Sequence, residues 1–186
     1  MKTFLLTLEE ELNQILQKEI WPRNISIPDI PSKINVLTGM RRTGKTTILF
    51  QHISNLLKNG VHRSRILFIN FEDDRIIVNN SQPNVIADAV ETWYSLDPSR
   101  HDELCYLFFD EIQNVRGWER TVRRLYDTKK IRLYITGSSA KLLSKEIATE
   151  LRGRSISTEV WPLDFEEYPG LEPFSSSIGT AAYIGR

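Results

Sequence analysis

Gly39-Met40-Arg41-Arg42-Thr43-Gly44-Lys45-Thr46 reads G-x-x-x-x-G-K-T, and its flanks decide how it must be read. Ile34 to Thr38 before it is a short β-prone run, and Thr47 to Lys58 after it carries Leu49, Ile53, Leu56 and Leu57 at helical spacing. A strand, a glycine-bearing turn and a new helix in that order make the phosphate-binding P-loop. Gly39 and Gly44 let the backbone turn tightly, so that successive N–H groups converge on phosphate oxygens. The helix adds its positive dipole end at the same point. Lys45 is expected to reach the β- and γ-phosphates and the Thr46 hydroxyl to ligate Mg²⁺, with Gly39, Arg41, Arg42, Thr43, Gly44 and Thr47 lining the phosphate site. Arg41 and Arg42 are bulky and charged for a P-loop and read equally well as phosphate or partner contacts and as solvated side chains.

Phosphate binding alone does no chemistry, which directs attention to acids at the tip of a neighbouring strand. Leu104 to Phe109 is nearly continuous apolar sequence, as a strand covered on both faces requires, and it ends in Asp110-Glu111. This is the Walker B pattern: Asp110 is expected to hold Mg²⁺ opposite Thr46, and Glu111 to act as general base on the attacking water. Ile131 to Thr136 is the next strand and runs into Gly137-Ser138-Ser139. Ser138 is the first choice for a polar sensor of the γ-phosphate, with Thr136 and Ser139 behind it; a turn that merely caps the following helix is the alternative. Leu151-Arg152-Gly153-Arg154 lies between the last helix and the fifth strand. Arg152 or Arg154 there either projects toward a neighbour's γ-phosphate as a trans finger, which makes a homo-oligomer the functional unit, or is a solvated helix-end residue favoured by the dipole. No N/T-K-x-D guanine signature occurs, so the expected nucleotide is ATP.

Around this constellation, strands alternate with helices, which gives a parallel sheet covered on both faces. Thr7-Leu8-Glu9-Glu10 reads as a capping box opening an N-terminal helix that runs to about Lys18 or Glu19. Pro22, Pro28 and Pro31 then break the chain into an extended connector. Arg65 to Phe71 is the second strand. Pro83 opens a helix burying Val85, Ile86, Ala89, Val90 and Trp93, and Trp118 to Tyr126 forms another. Leu143, Ile147 and Leu151 mark a further helix, and Ser155 to Val160 the fifth strand. The organisation is thus residues 1–33 as helix and connector, 34–168 as the catalytic core, and 169–186 as an irregular tail.

Composition narrows the class without naming a purpose. With 186 residues and a formal net charge of zero, the chain suits one domain and offers no bulk electrostatic case for nucleic acid or membrane. The basic set Arg116, Arg120, Arg123, Arg124, Lys129, Lys130 and Arg132 reads better as a solvated helix face than as a DNA or acidic-partner surface. A single cysteine, Cys105, excludes an intrachain disulfide and any Cys-based zinc site, and it lies in an apolar run as a buried thiol does. His52, His62 and His101 lack metal spacing. Phe4 to Leu8 is too short for a signal sequence, and no apolar stretch approaches a membrane span, so the expected location is the cytoplasm with no membrane partner.

In this order of motifs the chain resembles prokaryotic AAA+-type ATP-binding proteins, in which an AAA domain precedes a C-terminal domain of unknown function. The matching stretches are Leu37 to Thr47, Phe68 to Asp73, Phe109-Asp110-Glu111-Ile112-Gln113, Trp118-Glu119, Thr136 to Ser139, Leu151 to Arg154, and Pro162-Leu163-Asp164-Phe165-Glu166-Glu167-Tyr168. The resemblance implies a three-layer P-loop NTPase with a sheet ordered 5-1-4-3-2, ATP with Mg²⁺, and oligomerisation. It also implies that this chain is the N-terminal ATPase core only, without the helical lid that supplies a second sensor arginine in many AAA+ proteins. Hydrolysis of Mg·ATP is therefore the leading expectation. An ATP-dependent switch with little turnover is the alternative, and a P-loop kinase a weaker third.

Overall fold

The computed structural model describes residues 1–28, 30–77, 84–138, 151 and 153–163. The chain opens with helix α1 (Lys2–Leu16), and the connector delivers it to strand β1 (Ile34–Gly39). Helix α2 (Lys45–Lys58), strand β2 (Ile66–Asn70), the single turn α3 (Asp74–Ile77) and helix α4 (Val85–Leu96) follow. Strand β3 (Cys105–Asp110), helix α5 (Trp118–Thr128), strand β4 (Ile131–Ser138) and strand β5 (Ser155–Glu159) complete the described α-helices and strands. The five strands form one sheet in the order β2-β3-β4-β1-β5, every pair parallel, which is the 5-1-4-3-2 arrangement that the family resemblance implies.

Parallel strands need crossover connections, and these carry helices onto both faces. Side-chain alternation along β1 shows the result. Ile34 and Val36 join a core with Leu5, Val90, Trp93, Trp118, Val122 and Leu125, so α1, α4 and α5 share one face. Leu37 joins Ile48, Leu49, Ile53, Phe108 and Tyr134, which seats α2 on the other. All six residues of β1 are buried, as a strand between two neighbours in a covered sheet must be.

Two expectations shift at the amino end. Helix α1 starts at Lys2, so Thr7-Leu8-Glu9-Glu10 lies inside the helix and is no capping box. The Thr7 hydroxyl instead donates to the Thr3 carbonyl at 3.1 Å. The apolar stripe begins earlier than the box, with Leu5, Leu8 and Leu12 all buried, and tertiary packing of that stripe outweighs the local capping signal. The helix also stops at Leu16, two or three residues before the expected end. The expected helix around Leu143 and Ile147, the opening by Pro83, the sensor alternative Ser139, the stretch 164–168 and the tail 169–186 lie outside the described residues.

Because every strand runs the same way, the sheet has one edge made only of carboxyl ends. Cross-strand register puts Gly39 opposite Ser138 and Asn70 opposite Asp110, so the tips of β1, β4, β3 and β2 form one continuous rim. Ligands of open parallel sheets sit at this edge.

Candidate functional site: the rim of the sheet

The P-loop leaves β1 at Gly39, and helix α2 begins at Lys45 with Gly44 as its left-handed N-cap at φ 88°. Both glycines are forced by their surroundings. A Cβ on Gly39 would run into the Val160 carbonyl oxygen beyond β5, and one on Gly44 would run into Nη1 of Arg23. Gly44→Ala is therefore expected to lose stability on two counts. Positive φ costs about 1–2 kcal/mol for a residue with a Cβ, and the Arg23 guanidinium must move. A melting temperature unchanged from the parent would contradict this.

Lys45 is buried and its ammonium curls over the loop, donating to the carbonyls of Met40 at 2.8 Å and Gly39 at 3.2 Å. Its Nζ also lies 3.6 Å from the Glu111 carboxylate. Thr43 closes the turn by donating its hydroxyl to the Met40 carbonyl at 2.9 Å. Arg42 takes a left-handed conformation at φ 66° and is exposed. Arg41 is also exposed and pairs with Glu72 at the end of β2 at 2.7 Å, so the two loop arginines point outward from the buried lysine. Thr47, the third of the consecutive Lys-Thr-Thr, is half-buried on the first turn of α2.

Asp110 at the tip of β3 is almost wholly buried and accepts two hydroxyl donors. Thr46 reaches its Oδ2 at 2.8 Å and Thr136 its Oδ1 at 2.5 Å. Burial pushes the Asp110 carboxyl above the usual carboxylate range, with the two threonine hydroxyls and the Lys45 charge pulling against it. A raised folded-state value means that the folded protein holds this proton more tightly than the unfolded chain. The Asp110 contribution to stability in metal-free protein therefore falls as pH rises from about 3.9 through the folded value. Asp110→Asn, which removes the buried charge, keeps one hydroxyl donor on its oxygen and turns its NH2 as donor to the other hydroxyl, is expected to raise the melting temperature in EDTA by a few degrees. A lower melting temperature than the parent in EDTA would overturn that.

Glu111 follows in a left-handed conformation at φ 52°, which swings its side chain away from the strand direction and toward the loop. Its backbone N–H donates to the Thr136 hydroxyl at 3.0 Å, and its Oε2 accepts from the Gln113 amide at 2.5 Å. Thr136 therefore ties Asp110 and Glu111 to β4 and is fully buried, a different position from an exposed sensor. Ser138, paired in register with Gly39 and half-buried, stands nearer the loop.

Arg154 lies at the opposite end of the molecule. Its carbonyl accepts from the Ile34 N–H at the start of β1, roughly 16 Å along the strand from the P-loop. Its guanidinium meets Asp127 on α5 at 3.0 Å. Arg152 lies outside the described residues. The basic set around α5 is dispersed rather than pooled. Arg123 faces Asp127, Lys129 faces Glu91 and the Tyr94 ring, and Lys130 and Arg132 donate to the Asp102 and Pro31 carbonyls. His52 packs against the stacked rings of Tyr134 and Phe108, Cys105 is buried with its thiol pushed up by desolvation, and no metal-holding cluster of three His, Cys, Asp or Glu occurs among the described residues. No described helix is long and apolar enough to cross a membrane.

Arg23 and Gln51, which clip the connector to the P-loop and its helix, carried no sequence signal, and Gln113, which holds Glu111, stood within the family-like stretch Phe109 to Gln113 without a role of its own. Gln113 was the nearest to visible, standing two residues after Glu111.

Fold and rim together define a P-loop nucleotide-binding domain of the ATPase type. The chain belongs to the AAA domain family, whose model matches residues 31–169. An uncharacterized protein of Methanocaldococcus jannaschii is 44% identical over 153 residues, which is 82% of this chain and 32% of that protein. An uncharacterized protein of Haemophilus influenzae is 36% identical over 136 residues, 73% of this chain and 32% of its own length. The chain thus spans about a third of the length of these relatives. Among solved structures, C. elegans PCH-2 is similar with a TM-score of 0.48 and 13% identity, covering 86% of this chain and 41% of that one. AMPPCP-bound DnaA from Aquifex aeolicus gives a TM-score of 0.46 and 20% identity, covering 85% and 46%. Neither of these two likenesses bears on the site chemistry.

Proposed function

We propose that this domain binds Mg·ATP at the rim and hydrolyses it by attack of water on the γ-phosphorus. The observation that carries the reading is the pairing of Thr46 with Asp110 at 2.8 Å and of Lys45 with Glu111 at 3.6 Å, which joins the start of α2 to the tip of β3. The P-loop N–H groups and the start of α2 receive the phosphate oxygens, and Lys45 transfers its ammonium from loop carbonyls to the β/γ-phosphates. Thr46 and Asp110 supply a hydroxyl and a carboxylate oxygen 2.8 Å apart, the hard oxygen donors that suit Mg²⁺. Bound there, the metal supplies charge neutralisation at the phosphates. Glu111 takes the proton of the attacking water as the new O–P bond forms and the bond to the β-phosphate oxygen breaks, releasing ADP. Ser138, next to Gly39, is the sensor of this reading, and Thr136 positions both acids.

Phosphate release from Mg·ATP by purified protein tests the proposal, with EDTA as the blank. A turnover indistinguishable from that blank, with ATP still bound, would leave the switch reading in its place. That reading draws on one observation: both Glu111 carboxylate oxygens are engaged, by Gln113 and Lys45.

Assembly is part of the proposal. Arg154 lies too far from its own P-loop to serve it, so any role in turnover is across a subunit boundary, after release from Asp127. Arg152 lies outside the described residues and enters the test from the sequence reading. Specific activity is expected to rise with protein concentration. Mixing an Arg152→Ala/Arg154→Ala double variant with Lys45→Ala is expected to restore activity, since each supplies the half-site the other lacks. Flat specific activity without rescue would leave both arginines as helix-end residues.

A further inference from the structure

We propose that Arg23 is a positioning residue of the nucleotide site, one that couples the P-loop to the segment following β5. Four observations meet at this side chain. It is 5% exposed although it lies in a connector. Its Nη1 donates to the Thr43 carbonyl inside the P-loop, and its Nη2 donates to the Trp161 carbonyl at 2.9 Å. Its backbone is held on both sides by one side chain of the P-loop helix: the Arg23 N–H donates to Gln51 Oε1 at 2.8 Å, and Gln51 Nε2 donates to the Arg23 carbonyl at 3.0 Å. Finally, the guanidinium occupies the space that a Cβ at Gly44 would need.

The arrangement forms a three-way clamp. One planar fork of donors bridges two carbonyls that belong to segments remote in sequence, which a lysine's point charge cannot do with the same geometry. The Gln51 brace fixes where that fork originates, so any movement of the loop carbonyl is transmitted to the Trp161 carbonyl rather than absorbed by the connector. Peptide units reorient most readily beside a glycine, and the Thr43–Gly44 unit carries the carbonyl that Arg23 grips. Phosphate oxygens collecting the loop N–H groups act on the same peptide units. The buried guanidinium also places positive charge directly behind the loop, where it favours the phosphate-bound state.

The proposal rests on the nucleotide-binding reading and adds a direction of transmission to it. Trp161 is 65% exposed, so its indole reports on the segment, and Trp161→Phe provides the blank for the other three tryptophans while keeping the carbonyl. Arg23→Ala and Arg23→Lys are each titrated with Mg·ATP while Trp161 emission and heat of binding are followed. Hydrogen exchange at Val160 and the first turn of α2 is measured without nucleotide. The parent is expected to bind with a change in Trp161 emission. Both variants are expected to bind about tenfold more weakly and, at saturation, to leave Trp161 emission unchanged. Exchange at both places is expected to quicken together in the nucleotide-free variants. A general loss of stability would weaken binding without separating it from the Trp161 response at saturation. Variants that keep the parent's affinity and emission change overturn the coupling alone. A parent that binds no Mg·ATP overturns the nucleotide reading and the transmission with it, while the exchange measurement still reports whether the clamp holds the two segments.

Discussion

Lys45→Ala is expected to raise the dissociation constant for Mg·ATP by roughly one to two orders of magnitude or to abolish measurable binding. A charge-assisted hydrogen bond contributes about 1.5–3 kcal/mol, and 1.4 kcal/mol is a factor of ten. The figure is set by position as much as by charge. Lys45 is buried at the first position of α2, its Nζ already held over the loop by the Gly39 and Met40 carbonyls, so the cost of desolvating and ordering it is met in folding. The neighbouring arginines cannot substitute: Arg41 is turned to Glu72 and Arg42 is exposed. The variant also loses the counter-charge of Glu111 at 3.6 Å, so a melt in the absence of nucleotide must accompany the titration. Calorimetry giving equal affinity in parent and variant, with both folded, would remove the P-loop assignment.

Glu111→Gln is expected to leave Mg·ATP affinity within a few-fold of the parent and to lower hydrolysis by about 10²–10⁴. The amide preserves shape, and its oxygen still accepts from Gln113, so the left-handed turn at φ 52° and the N–H bond to Thr136 persist. What is lost is the capacity to take a proton from water. Asp110→Asn should behave differently, disturbing the dependence on Mg²⁺ rather than the proton transfer, because its oxygens meet Thr46 and Thr136 rather than the loop lysine. Parent rates in both variants would mean that Asp110 and Glu111 do not have these roles.

The site was legible to unequal depths, and the reason is the range over which each interaction acts. Gly39 to Thr46 and Asp110-Glu111 could be read because local chemistry dictates them: a tight turn needs glycine, a helix start attracts phosphate, and acids after a continuous apolar run sit at the tip of a buried strand. The strand order 5-1-4-3-2 came with the family resemblance and agrees with the sheet, whereas alternation of strands and helices alone would have left several orders open. The capping box at Thr7 misled because a strong short-range signal competed with burial of Leu5, Leu8 and Leu12, and burial prevailed.

Local sequence by itself pointed to the loop proposed to meet phosphate and to the carboxylates that end a buried strand. Tertiary structure alone decided how those groups are held. Thr136 bridges the two acids from β4, 26 residues from Asp110 in sequence. Arg23 grips the P-loop carbonyl of Thr43 20 residues away and the Trp161 carbonyl 138 residues away. A connector between prolines has no period that could mark such a residue, and a buried guanidinium becomes recognisable only when the carbonyls that satisfy it have been brought together by the folded sheet.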